Sequence, residues 1–293
     1  MEKAKKKVAF IVNPISGGKD KKPVIDLINT RFPSDMQYEF MHWEKPEQEK
    51  EIIQKIREGG YDAAIAVGGD GTINRVGSAV KGSKVALGII PLGSGNGLAR
   101  HLGIPLHPEK ALEVIGRWNL STIDSGTING TDFFCTCGVG FDALIGKRFA
   151  ESHARGLYTY VKLTLSSFMN YKPQDYKLSV DGKEIDTKAF LVTFANAAQY
   201  GNNAYIAPKA DITDGKLDVS IIKPFKTWNM PGIGRRMFNK TLDKSAYVDT
   251  TRGTEIIVER SEPGPVHYDG EPMEMGRSLR IAIEPASVNV IVP

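Results

Sequence analysis

Three glycines surround an aspartate in the segment Gly68-Gly69-Asp70-Gly71-Thr72, which follows a short apolar run. Because glycines lack side chains, their backbone N–H groups can approach a phosphate, and the N-terminus of a following helix favours negative charge there. Asp70 would repel that phosphate unless a Mg²⁺ ion lies between them or the carboxylate handles a proton. The alternative is an ordinary strand-to-helix turn in which Asp70 only caps the helix.

Two further loops of this kind follow predicted strands, at 13–19 and at 91–100. The strands alternate with helical patterns, which predicts a parallel sheet covered by helices. In such sheets ligands lie beyond the carboxyl ends of the strands. Three loops at that edge therefore predict a site for a nucleotide polyphosphate, although neither a Walker A loop nor a G-x-G-x-x-G pattern occurs.

Strand and turn patterns dominate after about residue 122, so we predict an antiparallel β domain there. Two of its segments carry acids beside a glycine, 211–217 and 269–271. Asp214 with backbone carbonyls could hold Mg²⁺ or Ca²⁺. Asp269 and Glu271 could serve as a general base and the group that orients it. Plain turns with solvated acids are the alternative at both segments.

The composition is that of a globular protein, and the net charge of +4 is too small to indicate nucleic-acid binding. Cys135 and Cys137 alternate in a predicted strand over 132–137, so we expect reduced core thiols on one strand face. We find no signal peptide and no membrane span, which favours a cytoplasmic location. The lysines at 3 and 5–7 form a solvated tail or make transient contact with a membrane surface.

Together, and in this order, the motifs resemble the diacylglycerol kinase catalytic-domain family, which includes bacterial lipid kinases and sphingosine kinases. The resemblance covers nearly the whole chain. It implies an α/β N-terminal nucleotide-binding domain with a parallel sheet over 1–124. A mainly antiparallel β-sandwich C-terminal domain over 125–279 would bind lipid, and the last strands, about 280–293, would return to the first domain. The activity implied is transfer of the γ-phosphoryl group of ATP to a lipid hydroxyl, with ATP and Mg²⁺ as cofactors.

The resemblance also assigns site residues. Glu271 would accept the proton, supported by Asp269, with Asp70 near the phosphates and the catalytic Mg²⁺. A structural Mg²⁺ would be held by Asp214 and by main-chain oxygens of Asp211 and Lys216. The ATP contacts would fall on Asn13, Pro14, Ile15, Ser16, Gly17, His42, Gly68, Gly69, Asp70, Gly71, Thr72, Ile73, Asn74 and Ser94. At position 42 the family usually has threonine.

The acceptor stays open between a diacylglycerol-type and a sphingoid-type lipid. The loop Gly93-Ser94-Gly95-Asn96-Gly97 is closer to the sphingosine-kinase version, and Asp142 sits where those kinases place an acid that meets the sphingoid amine. The amphipathic stretch 157–168 lines a lipid tunnel or belongs to the core. Two other functions compete with lipid phosphorylation. One is a kinase of a soluble hydroxyl compound such as NAD, and the other is a non-catalytic nucleotide or lipid sensor. A homodimer is an open alternative.

Overall fold

The chain forms two compact units in this computed structural model, which describes residues 5–13, 20–152 and 157–293. The first unit comprises the residues up to Ile123 together with Ala286–Pro293, and the second comprises Asp124–Pro285. Among the described residues, no helix has both the length and the apolar character that crossing a membrane requires.

The first unit is a parallel sheet with helices between its strands. Its strands are β1 (Lys7–Val12), β2 (Gln37–His42), β3 (Ala63–Gly68) and β4 (Ala86–Pro91). Its helices are α1 (Lys22–Arg31), α2 (Glu49–Glu58), α3 (Asp70–Val80), α4 (Gly97–His101) and α5 (Pro108–Arg117). The strand order is β2-β1-β3-β4, and Val290 near the chain end pairs in parallel with Leu87 of β4. Every residue of β3 and β4 is buried, as parallel strands covered on both faces require.

The second unit consists mainly of antiparallel strands. After β5 (Asn119–Ile128), within which the first unit ends, its strands are β6 (Thr131–Phe133), β7 (Thr136–Gly140), β8 (Gln174–Val180), β9 (Lys183–Ala189), β10 (Leu191–Ala195), β11 (Leu217–Ile222), β12 (Val248–Gly253), β13 (Glu255–Arg260), β14 (Gly264–Tyr268), β15 (Glu271–Met275) and β16 (Ser278–Val292). Its helices are α6 (Phe141–Glu151), α7 (Leu157–Phe168) and α8 (Met230–Phe238).

Two sheets of this unit pack face to face. One contains β16, β13, β8 and β9 with β5 and β6 beside β16, and the other has the order β12-β11-β10-β7-β14-β15. Alternating apolar side chains from both sheets fill the space between them, among them Tyr176, Leu178 and Ile256 from the first and Phe194 and Val219 from the second. The prediction of an α/β unit with a parallel sheet and a β-sandwich unit is therefore confirmed.

The predicted strand over 132–137 is wrong in one respect, because the structure breaks it into β6 and β7. At the break, the backbone N–H groups of Phe134, Cys135 and Thr136 point at the carboxylate of Asp269 instead of a neighbouring strand. Cys135 therefore lies between strands and does not share a strand face with Cys137. Both thiols are free and buried, as expected.

Gly126 of β5 lies directly opposite Phe133 of β6, whose ring is fully buried. A Cβ atom added at Gly126 would lie 2.0 Å from the Cζ atom of that ring. We therefore expect Gly126→Ala to lower the free energy of unfolding by about 1–3 kcal/mol, because the packed ring cannot move aside. Urea denaturation of the whole chain measures this change.

Gly234→Ala is the matched control, because it adds the same methyl group in α8 where no other atom lies within 4 Å. That variant should be unchanged or more stable by up to about 1 kcal/mol. Equal midpoints for the two variants would contradict the packing of Phe133 on Gly126.

Candidate active site

In chain order the three predicted glycine-rich loops lie at 13–19, 68–72 and 91–100, and the second of them connects β3 to α3. β3 ends at Gly68 and α3 begins at Asp70, so Gly69 alone joins them, and its carbonyl accepts the N–H groups of Thr72 and Ile73 at 3.0 Å. Thr72 is buried, and its hydroxyl has no hydrogen-bond partner in the part of the chain that the structure describes. A buried hydroxyl in the first turn of a helix, where the helix dipole favours negative charge, suits a phosphate oxygen.

The third glycine-rich loop, between β4 and α4, is held by its own side chains. Asn96 has a left-handed φ of 51°, a conformation that asparagine tolerates. Its side-chain oxygen accepts the N–H of Gly93 at 3.0 Å, and its side-chain nitrogen donates to the carbonyl of the same glycine at 2.8 Å. Arg100 donates from Nε to the carbonyl of Gly95 at 2.9 Å. The loop is therefore preformed.

Asp70 binds the second loop to the third. Its carboxylate accepts the backbone N–H of Asn96 at 2.9 Å and that of Gly97 at 2.7 Å. The loops also meet glycine on glycine, since a Cβ at Gly93 would lie 2.7 Å from the Cα of Gly69. Asp70 thus has a structural task that its sequence context did not indicate, and the two loops form one surface because no side chain separates them.

The parallel register brings the carboxyl ends of β1 to β4 to one edge of the sheet. Val12 pairs with both His42 and Val67, and Gly68 pairs with Pro91. Asn13 is half-buried one residue beyond β1. The other predicted ATP contacts are distributed as follows: His42 and Ser94 are exposed, Gly71 is half-buried, Ile73 and Asn74 are buried, and Pro14, Ile15, Ser16 and Gly17 lie outside the described residues.

Asp269 and Gly270 form the turn between β14 and β15, with positive φ angles of 46° and 86°. Two consecutive positive φ values are typical of the tight type I′ hairpin turn. The carboxylate of Asp269 accepts three backbone N–H groups at 2.7–3.1 Å, from Phe134, Cys135 and Thr136. The backbone N–H of Asp269 donates to the carbonyl of Thr136 at 2.8 Å. Asp269 therefore fixes the turn to the segment between β6 and β7.

Glu271 is the first residue of β15 and is exposed. Its carboxylate has no hydrogen bond or ion pair to any residue that the structure describes. Helix α6 lies behind the turn, since a Cβ at Gly146 would be 4.0 Å from the carbonyl oxygen of Gly270. Of the two predicted acids, Asp269 uses its carboxylate to accept backbone N–H groups. The carboxylate of Glu271 has no such partners among the described residues and can accept a proton.

Asp142, in the first turn of α6, is part of a buried polar cluster. Its Oδ2 lies 3.1 Å from the hydroxyl of Thr193, 2.8 Å from that of Tyr200 and 3.0 Å from Nε2 of His267. Its Oδ1 accepts the backbone N–H of Ala143 at 2.8 Å. The side chains of Asp142 and His267 are only 9% and 4% exposed, so partners within the chain take up most of the carboxylate's acceptor capacity.

The thiol of Cys137 lies in the same part of the second unit. Its complete burial raises the pKa well above the usual value, and the negative charges of Asp269 and Asp142 raise it further. The thiol therefore stays protonated at neutral pH, so Cys137 is not a nucleophile.

The predicted structural Mg²⁺ site lies on the loop before β11. Asp211 accepts the N–H and hydroxyl of Thr213, and Asp214 accepts the N–H of Lys216 at 3.0 Å and pairs with the guanidinium of Arg252. In the described ranges, no three His, Cys, Asp or Glu side chains converge on a metal position. Because main-chain oxygens can also bind a cation, the site on Asp214 with the main-chain oxygens of Asp211 and Lys216 stays a prediction, in which the cation would compete with Arg252 for the Asp214 carboxylate.

Three groups that the sequence analysis left without a role now have one. The buried carboxylate of Asp124 accepts the N–H of Gly215 at 2.7 Å and fixes the loop before β11. Thr193 and Tyr200 surround Asp142, although they lie more than 50 residues away in the chain. No local pattern could have found these contacts, because each partner lies on a different strand or loop.

The comparisons with known proteins cover both units. The family model described as the diacylglycerol kinase catalytic domain matches residues 7–128, and that described as the YegS C-terminal NAD kinase beta sandwich-like domain matches residues 135–292. A Pseudomonas aeruginosa protein named Probable lipid kinase YegS-like is 29% identical over 255 residues, which are 86% of this chain and 83% of that protein. A Mycobacterium tuberculosis protein named Diacylglycerol kinase is 30% identical over 243 residues, which are 80% of this chain and 78% of that protein.

A crystal structure of a diacylglycerol kinase from Bacillus anthracis has the same fold, with a TM-score of 0.76 at 21% identity over 98% of this chain and 97% of that one. The glycine-rich loops of the first unit lie within one family match and the Asp269–Glu271 turn within the other. The chain therefore belongs to the diacylglycerol kinase family of lipid kinases.

Proposed function

We propose that the chain transfers the γ-phosphoryl group of ATP to the hydroxyl of a membrane lipid. The main support for this proposal is that the chain has two structural elements that phosphoryl transfer requires, each held in place by its own hydrogen bonds. One is a glycine-lined surface at the carboxyl edge of the parallel sheet, and the other is a rigid turn that leaves Glu271 free. Family membership supports the same reaction.

The first unit provides the proposed ATP site. The N-terminus of α3 favours negative charge, and the hydroxyl of Thr72 is a donor without a partner among the described residues. The adjoining Gly69 and Gly93 have no side chain to block a phosphate. Because Asp70 fixes one loop to the other, the phosphate site needs little reordering when ATP binds. Mg²⁺ bound with the triphosphate would neutralise part of its charge, and a second, structural Mg²⁺ on Asp214 and the main-chain oxygens of Asp211 and Lys216 stays a prediction.

The second unit provides the proposed base. Glu271 would accept the proton of the attacking lipid hydroxyl, and Asp269 would hold the turn that positions it. Asp269 suits this supporting role because three backbone N–H groups already occupy its carboxylate. Phosphoryl transfer depends mostly on position and charge, so a fixed turn contributes directly to the rate.

The cluster around Asp142 supports an acceptor with a neutral headgroup. An ammonium group, as in a sphingoid base, would need a free carboxylate oxygen, whereas Thr193, Tyr200 and His267 already surround Oδ2. We therefore propose a diacylglycerol-type acceptor. Asp142 then acts as a support for α6 and β14 and does not contact the substrate amine.

We expect Glu271→Gln to lower kcat by roughly 10²–10⁴-fold with the KM for ATP nearly unchanged, because the base is lost and the nucleotide site is not. Labelled-ATP turnover with diacylglycerol measures both constants. Glu274→Gln is the control, since Glu274 lies on the same strand but pairs with Lys147 at the surface, where such a pair contributes little. Near-native turnover by the Glu271 variant would remove Glu271 from this role.

We expect Gly93→Ala to raise the KM for ATP roughly tenfold, because the new Cβ would lie 2.7 Å from the Cα of Gly69 and would separate the two loops. Steady-state kinetics and direct ATP binding both report this loss. Gly234→Ala, with open space around its new methyl group, should leave both values unchanged. An unaltered KM for ATP in the Gly93 variant would argue against ATP binding at this loop.

We expect kcat/KM to be at least roughly tenfold higher for diacylglycerol than for sphingosine, since an unpaired ammonium group is costly to desolvate. A panel of lipid acceptors, separated by extraction into organic solvent, measures this ratio. In Asp142→Asn, turnover should fall by the same factor for both lipids. A loss confined to sphingosine would instead make Asp142 the ligand of the amine.

The same extraction tests the competing function. The second unit matches a domain described as NAD kinase beta sandwich-like, so a soluble acceptor such as NAD is the second candidate. A phosphorylated lipid partitions into the organic phase, whereas NADP stays in water. Product found only in the aqueous phase, with NAD present, would replace the lipid by a soluble acceptor.

A further inference from the structure

A basic and aromatic surface surrounds helix α8 of the second unit, and none of its residues has a part in the proposed reaction. We call it the α8 surface and define it by Lys226, Trp228, Arg235, Arg236, Phe238 and Lys240. The helix rests on the unit through Ile233, which is buried, and through Met230 and Met237, which pack on the same apolar cluster. These three residues have helical spacing, and Gly232, Arg235 and Phe238 on other sides of α8 are exposed.

Two large aromatic side chains of this surface are open to solvent. Trp228 is 73% exposed and Phe238 is 61% exposed, whereas Trp43 of the first unit is 2% exposed. Lys226 lies over the ring of Trp228, with its Nζ atom 4.8 Å from the ring centroid, so a cation and an exposed aromatic ring share this surface. Tryptophan and phenylalanine with lysine and arginine are typical of helices that lie in a membrane interface.

The charge of the segment is strongly one-sided. Residues 223–244 contain six basic side chains and one acidic one, a net charge of +5, whereas the whole chain carries +4. The single acid, Asp243, already pairs with Lys209 from outside the segment at 2.8 Å. The net positive charge of the chain is therefore concentrated in this segment around α8. Such a concentration of positive charge favours an anionic partner.

A surface cleft of about 400 Å³ lies on the same face of α8. Its lining residues are Gly232, Arg235, Arg236, Asn239 and Thr241. The first four have the i, i+3, i+4, i+7 spacing of one helix face. Arg236 donates to the carbonyl of Thr241 at 3.3 Å, and Arg235 has no ion-pair partner among the described residues. Two guanidinium groups around a cleft of this size fit the phosphate of a lipid headgroup.

We propose that the α8 surface docks this kinase onto an anionic lipid bilayer, with Trp228 and Phe238 at headgroup depth and the arginines on lipid phosphates. This inference rests on the proposed function, because a kinase whose acceptor is a membrane lipid must reach the bilayer. The occupant is the membrane surface itself rather than a nucleic acid or a protein. Positive charge alone would suit nucleic acid, but the aromatic pair and the apolar support of α8 match an interfacial helix.

The first experiment measures binding of the full chain to vesicles by co-sedimentation. Wild type should bind vesicles of phosphatidylcholine mixed with phosphatidylglycerol, bind phosphatidylcholine alone weakly, and lose binding in high salt. The double variant Arg235→Gln/Arg236→Gln should lower the partition coefficient roughly 30-fold, because two cations near an anionic surface are lost. The matched control is Lys177→Gln/Lys183→Gln, which removes two exposed charges from β8 and β9 and should bind like wild type.

The second experiment uses the fluorescence of Trp228. Its emission should shift to the blue when anionic vesicles are added, since the indole leaves water. Trp228→Phe removes that response and identifies its source against Trp43 and Trp118. Because Trp228 is exposed, the variant should keep its thermal midpoint, which separates lost docking from lost folding.

Turnover measurements distinguish this inference from the proposed function. With a short-chain diacylglycerol that is monomeric in water, Arg235→Gln/Arg236→Gln should turn over like wild type, and only vesicle-borne substrate should be phosphorylated more slowly. Wild-type vesicle binding without phosphorylation of any lipid would refute the proposed function and leave the docking surface standing. Two results would contradict the docking role of the α8 surface. One is equal vesicle binding by wild type and the arginine variant, and the other is tighter binding of wild type to RNA than to anionic vesicles.

Discussion

In each unit, the candidate site residues are held by a carboxylate that accepts backbone N–H groups from another segment of the same unit. Asp70 accepts two such groups from the third glycine-rich loop. Asp269 accepts three, from Phe134 and Cys135 between β6 and β7 and from Thr136 at the start of β7. Hydrogen bonds to an ionised acceptor are among the stronger ones in proteins, so they fix these backbone segments in place. The proposed ATP surface and the turn that carries Glu271 are therefore rigid before any ligand binds.

Acids that hold the backbone in position are therefore different from the acid proposed to accept a proton. A carboxylate surrounded by donors, such as Asp269 or Asp142, is held in one position and has little capacity left for a substrate. Glu271 shares the motif of Asp269 but is exposed and unpaired within the described residues. Rigid support beside a free acid is what proton transfer at a fixed distance requires.

Much of the fold could be predicted from local patterns. Helices α1 and α5 follow from local signals, because each has apolar residues at helical spacing and a proline in its first turn. Helix α8 was not predicted, since Pro231, Gly232 and Gly234 argue against a helix. The packing of its apolar side chains on the unit, with Ile233 at the centre, stabilises it nevertheless. The strand break at Phe134 was equally invisible, because its cause lies 135 residues further along the chain.

The sequence by itself determined the glycine-rich loops, the acidic turn and the family, because each depends on residues within a few positions of one another. Only the tertiary structure decided which carboxylates are free. Asp70, Asp142, Asp269 and Glu271 are alike as acids in the sequence, and their difference arises from N–H and O–H groups that the fold brings from distant strands and loops. Hydrogen-bond partners are set by spatial neighbours, so no reading of local spacing could assign these roles.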